Sequence, residues 1–279
     1  MVCLAGNGAL VCPAEVQDSV DGFNLARNRL DSDAYGRVGR RADTTGNMNA
    51  GKLLFKQLDL VVFDLAGTTL RIGDQIPEAF REAFREQGIM LSEREILDIR
   101  GHSKREAILV LLEKHFGLQA AGMTEIVHER FLQLLDQAFS KKEVEAIAGS
   151  EETFDWLKER KLRIALNTGF ERRFAMQLLE RIGWIGIADA VVCGDEVPRG
   201  RPAPDLIIES MKRSGCSDSS RVSVVGDTRS DLEAAEKAGV RLAVGVLSGA
   251  HDEEQLKTCA HDAIIPGVTD LPGLLSGTK

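Results

Sequence analysis

The chain has 279 residues, with 35 Lys and Arg against 43 Asp and Glu, a formal charge of −8. Its 43% hydrophobic and 28% charged residues suit an ordinary globular protein, and the acidic balance argues against a general nucleic-acid binder. No run approaches the roughly 20 apolar residues of a membrane span, and five scattered cysteines without a CxxC pair indicate a reducing, cytoplasmic setting rather than a disulfide framework.

The first fifty residues carry Gly, Asn, Asp and Arg at irregular spacing, with no apolar period past Val16. Residues 1–55 therefore read as a disordered tail. The apolar start lacks a basic n-region, which argues against a signal peptide. Met48 stands just before the first strand and is an alternative start.

From residue 58, strands and helices alternate. Residues 58–63 (LDLVVF) form an apolar run closed by Asp64, the pattern of a buried parallel strand. Four helical patterns follow with no strand signal between them, at 77–87, 93–99, 104–116 and 124–140. A loop of that length without structure of its own is rare, so a helical insertion is expected, a cap over residues 73–145. It would sit over the carboxyl ends of the strands, where α/β sheets bind ligands. Further strands are expected at 162–166, 190–193, 222–225 and 242–247. Helical patterns at 170–182, 204–214 and 230–238 follow the first three of these. The succession predicts an α/β fold, a doubly wound parallel sheet of Rossmann-like form, with its core in 56–72 and 146–279.

The strand ends deliver polar residues to one edge of the sheet. The first gives Asp64-Leu65-Ala66-Gly67-Thr68-Thr69, the second Thr168-Gly169, and the fourth Gly226-Asp227-Thr228 followed by Asp231. The loop after the third gives Arg199-Gly200-Arg201-Pro202. Two carboxylates held close together call for a cation between them, and an oxygen-rich site suits Mg²⁺. Hydroxyls, Gly-turn amides and an Arg suit a phosphoryl group.

These four motifs, in this order and with helices after the first, resemble the haloacid dehalogenase superfamily over about residues 56–274. The resemblance implies that Asp64 is the nucleophile, forming an aspartyl-phosphate. It implies that Asp64, the Ala66 carbonyl and Asp227 hold Mg²⁺, with Asp231 supporting the metal or its water. Thr168, Gly169, Thr68 and Arg201 would contact the phosphoryl group, Arg201 standing where most members have Lys. A general acid usually follows two residues after the nucleophile. Here that position is Ala66.

The Ala-Gly-Thr-Thr form with Arg in the third motif resembles the phosphonoacetaldehyde hydrolase (phosphonatase) branch. That branch cleaves a carbon–phosphorus bond with a cap Lys that forms a Schiff base, so that an iminium replaces the missing acid. The cap segment Arg100-Gly101-His102-Ser103-Lys104-Arg105-Glu106 supplies the candidate, Lys104. Ser103 and Glu106 have the spacing of a capping box, which predicts a helix starting at Lys104. The positive helix end and Arg105 both favour a neutral amine there. The match departs at Arg100, Ala107 and Phe170, where the branch has Met, His and Tyr. Arg100 is a candidate to grip a second anionic group.

The leading expectation is an Mg²⁺-dependent phosphonate hydrolase acting on a small-molecule phosphonate. The alternative is a phosphate monoester hydrolase on the same fold. A non-catalytic binding protein is the third reading, and intact Asp64, Asp227 and Arg201 argue against it. Cap-to-cap dimers occur in the family the chain resembles, so a homodimer through the cap is a further expectation.

Overall fold

β1 (Leu60–Asp64) is LVVFD, buried on both faces, and it runs through the middle of the sheet. In the computed structural model, which describes residues 54–117, 120–140 and 144–277, it is flanked by two parallel neighbours. These are β4 (Arg163–Asn167) and β6 (Val222–Gly226). Beyond them lie β5 (Ala190–Val192) on one side and β7 (Leu242–Val246), then β8 (Ala263–Ile265), on the other. All pairs of this six-stranded sheet are parallel. The expected α/β architecture is therefore present. Most of the expected tail, and Met48, lie outside the described residues. Leu54 and Phe55 do not, and they lead into a short 3-10 turn, Phe55–Gln57.

Helices cover both faces. α5 (Ser150–Glu159) and α6 (Arg172–Arg181) lie on the face where Phe63 packs edge to face on Phe154 at 5.2 Å, with Trp184 beyond at 5.2 Å. α7 (Asp205–Arg213) and α8 (Arg229–Ala238) lie on the face that buries Leu60, Val62 and Val224 with Ile207 and Leu232. The chain closes with α9 (Glu253–Leu256) and α10 (Leu271–Ser276). No helix among the described residues is long and apolar enough to cross a membrane.

Four helices stand between the first two strands of the sheet: α1 (Gln75–Arg85), α2 (Glu93–Asp98), α3 (Lys104–Phe116) and α4 (Ala120–Ser140). Pro77 lies in the first turn of α1, where its missing N–H breaks no helical bond. Phe80 meets Phe131 at 4.4 Å inside this group, and Phe139 meets Phe174 of α6 at 5.2 Å.

The structure departs from the sequence reading in four places. Short strands do interrupt the long connection: β2 (Leu70–Arg71) pairs antiparallel with β3 (Glu145–Ala146), joining the two feet of the helical segment. Two residues carry no periodicity to read. β8 is a sixth strand, only three residues long, held by parallel pairing to β7. α5 lacks a clear apolar period in the sequence, because its Glu-rich start dilutes a stripe of Thr153, Phe154 and Leu157. Finally, the Ser103–Glu106 capping box does not form. α3 starts at Lys104 without a side-chain cap, and Glu106 Oε2 instead accepts from the Gly200 N–H at 2.8 Å.

Candidate active site

Three strand ends, the loop before α7 and one segment of the helical insertion meet around a small cavity of ≈ 30 Å³. β1 contributes Asp64 and then Ala66, β4 leads to Thr168 and Gly169, and β6 leads to Asp227. Arg201 enters from the loop before α7, and Arg100, Gly101 and Lys104 from between α2 and α3. The insertion thus covers the carboxyl edge of the sheet.

Arg201 organises the floor. It is 2% exposed, with Nη2 2.7 Å from Asp64 Oδ1 and Nη1 2.6 Å from Asp231 Oδ1. Nη2 also donates to Asn167 Oδ1 at 2.9 Å. Its Nε has no partner among the described residues. Burial opposes the charge, but Asp231 and Asp64 outweigh it and hold the guanidinium above its usual range. Burial is also the main influence on Asp64, pushing its carboxyl up against the pull of Arg201.

Asp227 is held by main chain and hydroxyl. Ala250 N–H donates to Oδ2 at 2.7 Å and Thr68 Oγ1 donates to Oδ1 at 3.1 Å. A Cβ at either Gly67 or Gly249 would collide with this carboxylate, so both close approaches require glycine. Burial, then the charges of Asp64 and Asp231, push Asp227 well above the carboxylate range.

Two residues expected at the phosphoryl group or metal have protein partners here. Thr68 Oγ1 gives its proton to Asp227, so it orients a carboxylate. Asp231, expected beside the metal, already has partners for both oxygens. Oδ1 meets Arg201, while Oδ2 accepts from the Thr228 N–H at 3.0 Å and its hydroxyl at 2.5 Å, as the N3 residue of a capping box on α8. Thr168 Oγ1 accepts from the Phe170 N–H at 3.2 Å, which leaves its own proton for a ligand.

Three buried carboxylates face Arg201 and Lys104, and burial resists the charge on two of them. Asp64 and Asp227 with the nearby Ala66 main chain form a hard-oxygen donor set that fits a divalent cation. Among the described residues no three His, Cys, Asp or Glu side chains form a ready-made cluster. A set of two carboxylates completed by main chain and water suits Mg²⁺, which retains several waters.

Lys104 is 9% exposed and lines the same cavity. Nζ sits over the Phe170 ring at 5.0 Å and donates to the His102 carbonyl at 3.2 Å. Burial lowers it to about 8, against the attraction of Asp64 and with the help of Arg201 and Arg100. Arg105, expected to push the same way, turns out to an ion pair with Glu125.

The segment before α3 is held against the loops at the sheet edge by close contacts. Lys104 N–H donates to the Gly169 carbonyl at 3.2 Å, and Ser230 Oγ donates to the Arg100 carbonyl at 2.9 Å. Gly101 has φ +81°, and a Cβ there would strike Thr228 Oγ1. His251 is buried. Its Nδ1 accepts from the Arg229 N–H at 2.9 Å, which braces the loop after Asp227. Asn167 and Ala250 are site residues that sequence reasoning missed. Asn167 precedes the motif residue Thr168, and that position was the available signal. Ala250 acts through its main chain, which leaves none.

A family model described as haloacid dehalogenase-like hydrolase matches residues 61–245. The chain is 30% identical over 207 residues to a phosphonoacetaldehyde hydrolase of Hahella chejuensis, covering 70% of each chain. It is 26% identical over 208 residues to a phosphorylated carbohydrates phosphatase of Thermotoga maritima, covering 75% of this chain and 94% of that one. A solved phosphonoacetaldehyde hydrolase-like protein from Oleispira antarctica shares the fold, with a TM-score of 0.66 at 22% identity over 80% of this chain and 96% of that one.

Proposed function

The chain belongs to the haloacid dehalogenase-like hydrolases, and from that premise we propose that it cleaves the carbon–phosphorus bond of a small carbonyl-bearing phosphonate. The observation that carries the reading is Lys104, a buried amine in the same cavity as Asp64. The position two residues after Asp64 holds Ala66, which cannot donate a proton to an alkoxide. Residues 73–145 act as a cap on a core of 56–72 and 146–279.

In this reading Lys104 condenses with the substrate carbonyl and releases water, giving an iminium. The Asp64 carboxylate attacks phosphorus, and the carbon–phosphorus electron pair moves onto carbon and into the iminium, which becomes an enamine. Protonation and hydrolysis return the free Lys104 and the carbonyl product. Water then hydrolyses the aspartyl-phosphate to phosphate. Arg201, Thr168 and the Gly169 main chain bind the phosphoryl oxygens. A Mg²⁺ held by Asp64, Ala66 and Asp227 would offset the charge of the phosphoryl group. Asp231 fixes Arg201.

The cavity has room for about one water, so the cap must draw back for substrate to enter. The likeness to a carbohydrate phosphatase favours a second reading, monoester hydrolysis on the same floor. One experiment separates the two. The full chain is incubated with phosphonoacetaldehyde or with a panel of sugar and alkyl phosphates, with Mg²⁺ or with EDTA, and phosphate and acetaldehyde are measured. The expected result is equimolar acetaldehyde and phosphate from the phosphonate, lost in EDTA. Phosphate from the monoesters alone would install the second reading.

Gly101→Ala tests the cap seating. The positive φ and the contact with Thr228 both reject a methyl group, and the displaced loop carries Lys104 with it. Misplacement of about 1 Å costs on the order of 10²-fold in rate. The expected result is that loss in kcat/KM, with a melting temperature within a few degrees of the wild type.

A further inference from the structure

The reaction above leaves one cation of the cavity without a role. Arg201 is paired with Asp64 and Asp231, and Lys104 takes the carbonyl. Arg100 lines the cavity beside them. Among the described residues its guanidinium makes neither a hydrogen bond nor an ion pair, and it meets Asp227, Asp74 and Glu93 only through longer-range attraction. It is nevertheless half-buried.

Its main chain is fixed rather than loose. The Arg100 carbonyl accepts from Ser230 Oγ, the next residue is the glycine seated on Thr228, and the His102 N–H donates to the Ile99 carbonyl at 3.2 Å. A pinned backbone therefore delivers a partly desolvated guanidinium to the cavity wall. Such a group is costly without a counter-charge. Its planar fork matches a carboxylate with two parallel hydrogen bonds.

The position of Arg100 says where that carboxylate lies. The phosphoryl group has Arg201 on the core side. Arg100 comes from the cap and is close enough to Lys104 for its charge to be felt there. A substituent on the carbonyl carbon that Lys104 engages, on the side away from phosphorus, would fall to Arg100. We propose that Arg100 is a specificity residue that receives a substrate carboxylate, so that the preferred substrate class is a β-ketophosphonate carrying a carboxylate on its carbonyl carbon. This rests on the phosphonate reading above and narrows it.

The test uses two uncleavable compounds, because neither has a carbonyl beside the phosphonate. These are 3-phosphonopropionate and the nearly isosteric 3-methylbutylphosphonate. Binding of each to the full chain with Mg²⁺ is measured by titration calorimetry. The wild type is expected to bind the carboxylate compound at least about tenfold more tightly, as a charge-assisted pair allows. In Arg100→Met the ratio should fall to one or below, and Arg100→Lys should retain part of it, circular dichroism confirming that both variants fold. Equal affinities in the wild type, no binding of either compound at millimolar concentration, or a preference that survives Arg100→Met overturns the proposal. Turnover of phosphonoacetaldehyde and 3-phosphonopyruvate is assayed separately. Failure there removes the carbon–phosphorus reading, while the binding ratio still decides the role of Arg100.

Discussion

Asp64→Asn is expected to lower turnover by about 10⁴-fold or more while leaving the fold in place. Asn has the shape of Asp and its oxygen can still accept from Arg201, whose Nη2 lies 2.7 Å from Oδ1. What disappears is the charge and the lone pair that attack phosphorus. The stability consequence has a definite sign. Burial raises the Asp64 pKa on folding, so the protonated form is favoured in the folded state. That contribution is present at low pH and is lost as pH rises through the folded-state value. Asn removes the penalty of holding a buried charge, and Arg201 keeps Asp231 as a partner. In EDTA at pH 8 the variant should therefore melt no lower than the wild type. Mass spectrometry of acid-quenched wild type should show a phosphate adduct on the peptide containing Asp64, and the variant should show none. Retention of more than about 1% of activity would place the nucleophile elsewhere.

The position of Asp64 was legible because an apolar strand run ends there. LDLVVF is apolar apart from Asp59, and a parallel sheet turns such a run into a strand that ends at the ligand-binding edge. The same logic marked Asp227 at the end of β6. Arg201 was marked by its motif, yet its partners were not all foreseeable. The Asn167 carboxamide that fixes it is 34 positions away, on the β4 position that pairs with Asp64 of β1. Ala250 holds Asp227 through a main-chain N–H, a group every non-proline residue has.

Glu106 shows how a local rule loses to a distant partner. Its spacing from Ser103 suits a capping box, but the Gly200 N–H, 94 positions away, takes the carboxylate. Gly200 has no side chain to keep Ser103 and Glu106 off, so the start of α3 packs closely on the loop before α7 at that point. The local pattern was correct about where the helix starts and wrong about what its acid does. Thr68 is a similar case. A turn hydroxyl near a phosphate site reads as a ligand contact, and the approach of Asp227 across the sheet redirects it.

Lys104→Met is expected to lower carbon–phosphorus cleavage by about 10³-fold or more, because the methionine keeps an apolar stem over Phe170 but has no amine to form the iminium. The wild type carries a second, sharper signature in its pH dependence. Burial holds Lys104 near 8, against an ordinary 10.5. At pH 7 about one-tenth of the amine is then neutral, compared with about one part in three thousand for a surface lysine. The cause is the removal of the ammonium from water, reinforced by Arg201 and Arg100 and opposed by Asp64. Borohydride reduction in the presence of phosphonoacetaldehyde should trap an adduct on Lys104. Its rate of formation should rise about tenfold per pH unit below 8 and level off above. A surface lysine would keep rising toward 10.5, so the position of the plateau separates the buried amine from adventitious labelling. An adduct that maps to other lysines, or cleavage unchanged in Lys104→Met, would remove the iminium. Asp64 would then have to expel a leaving group with no acid behind it, and the monoesters able to react would be those with the most acidic alcohols.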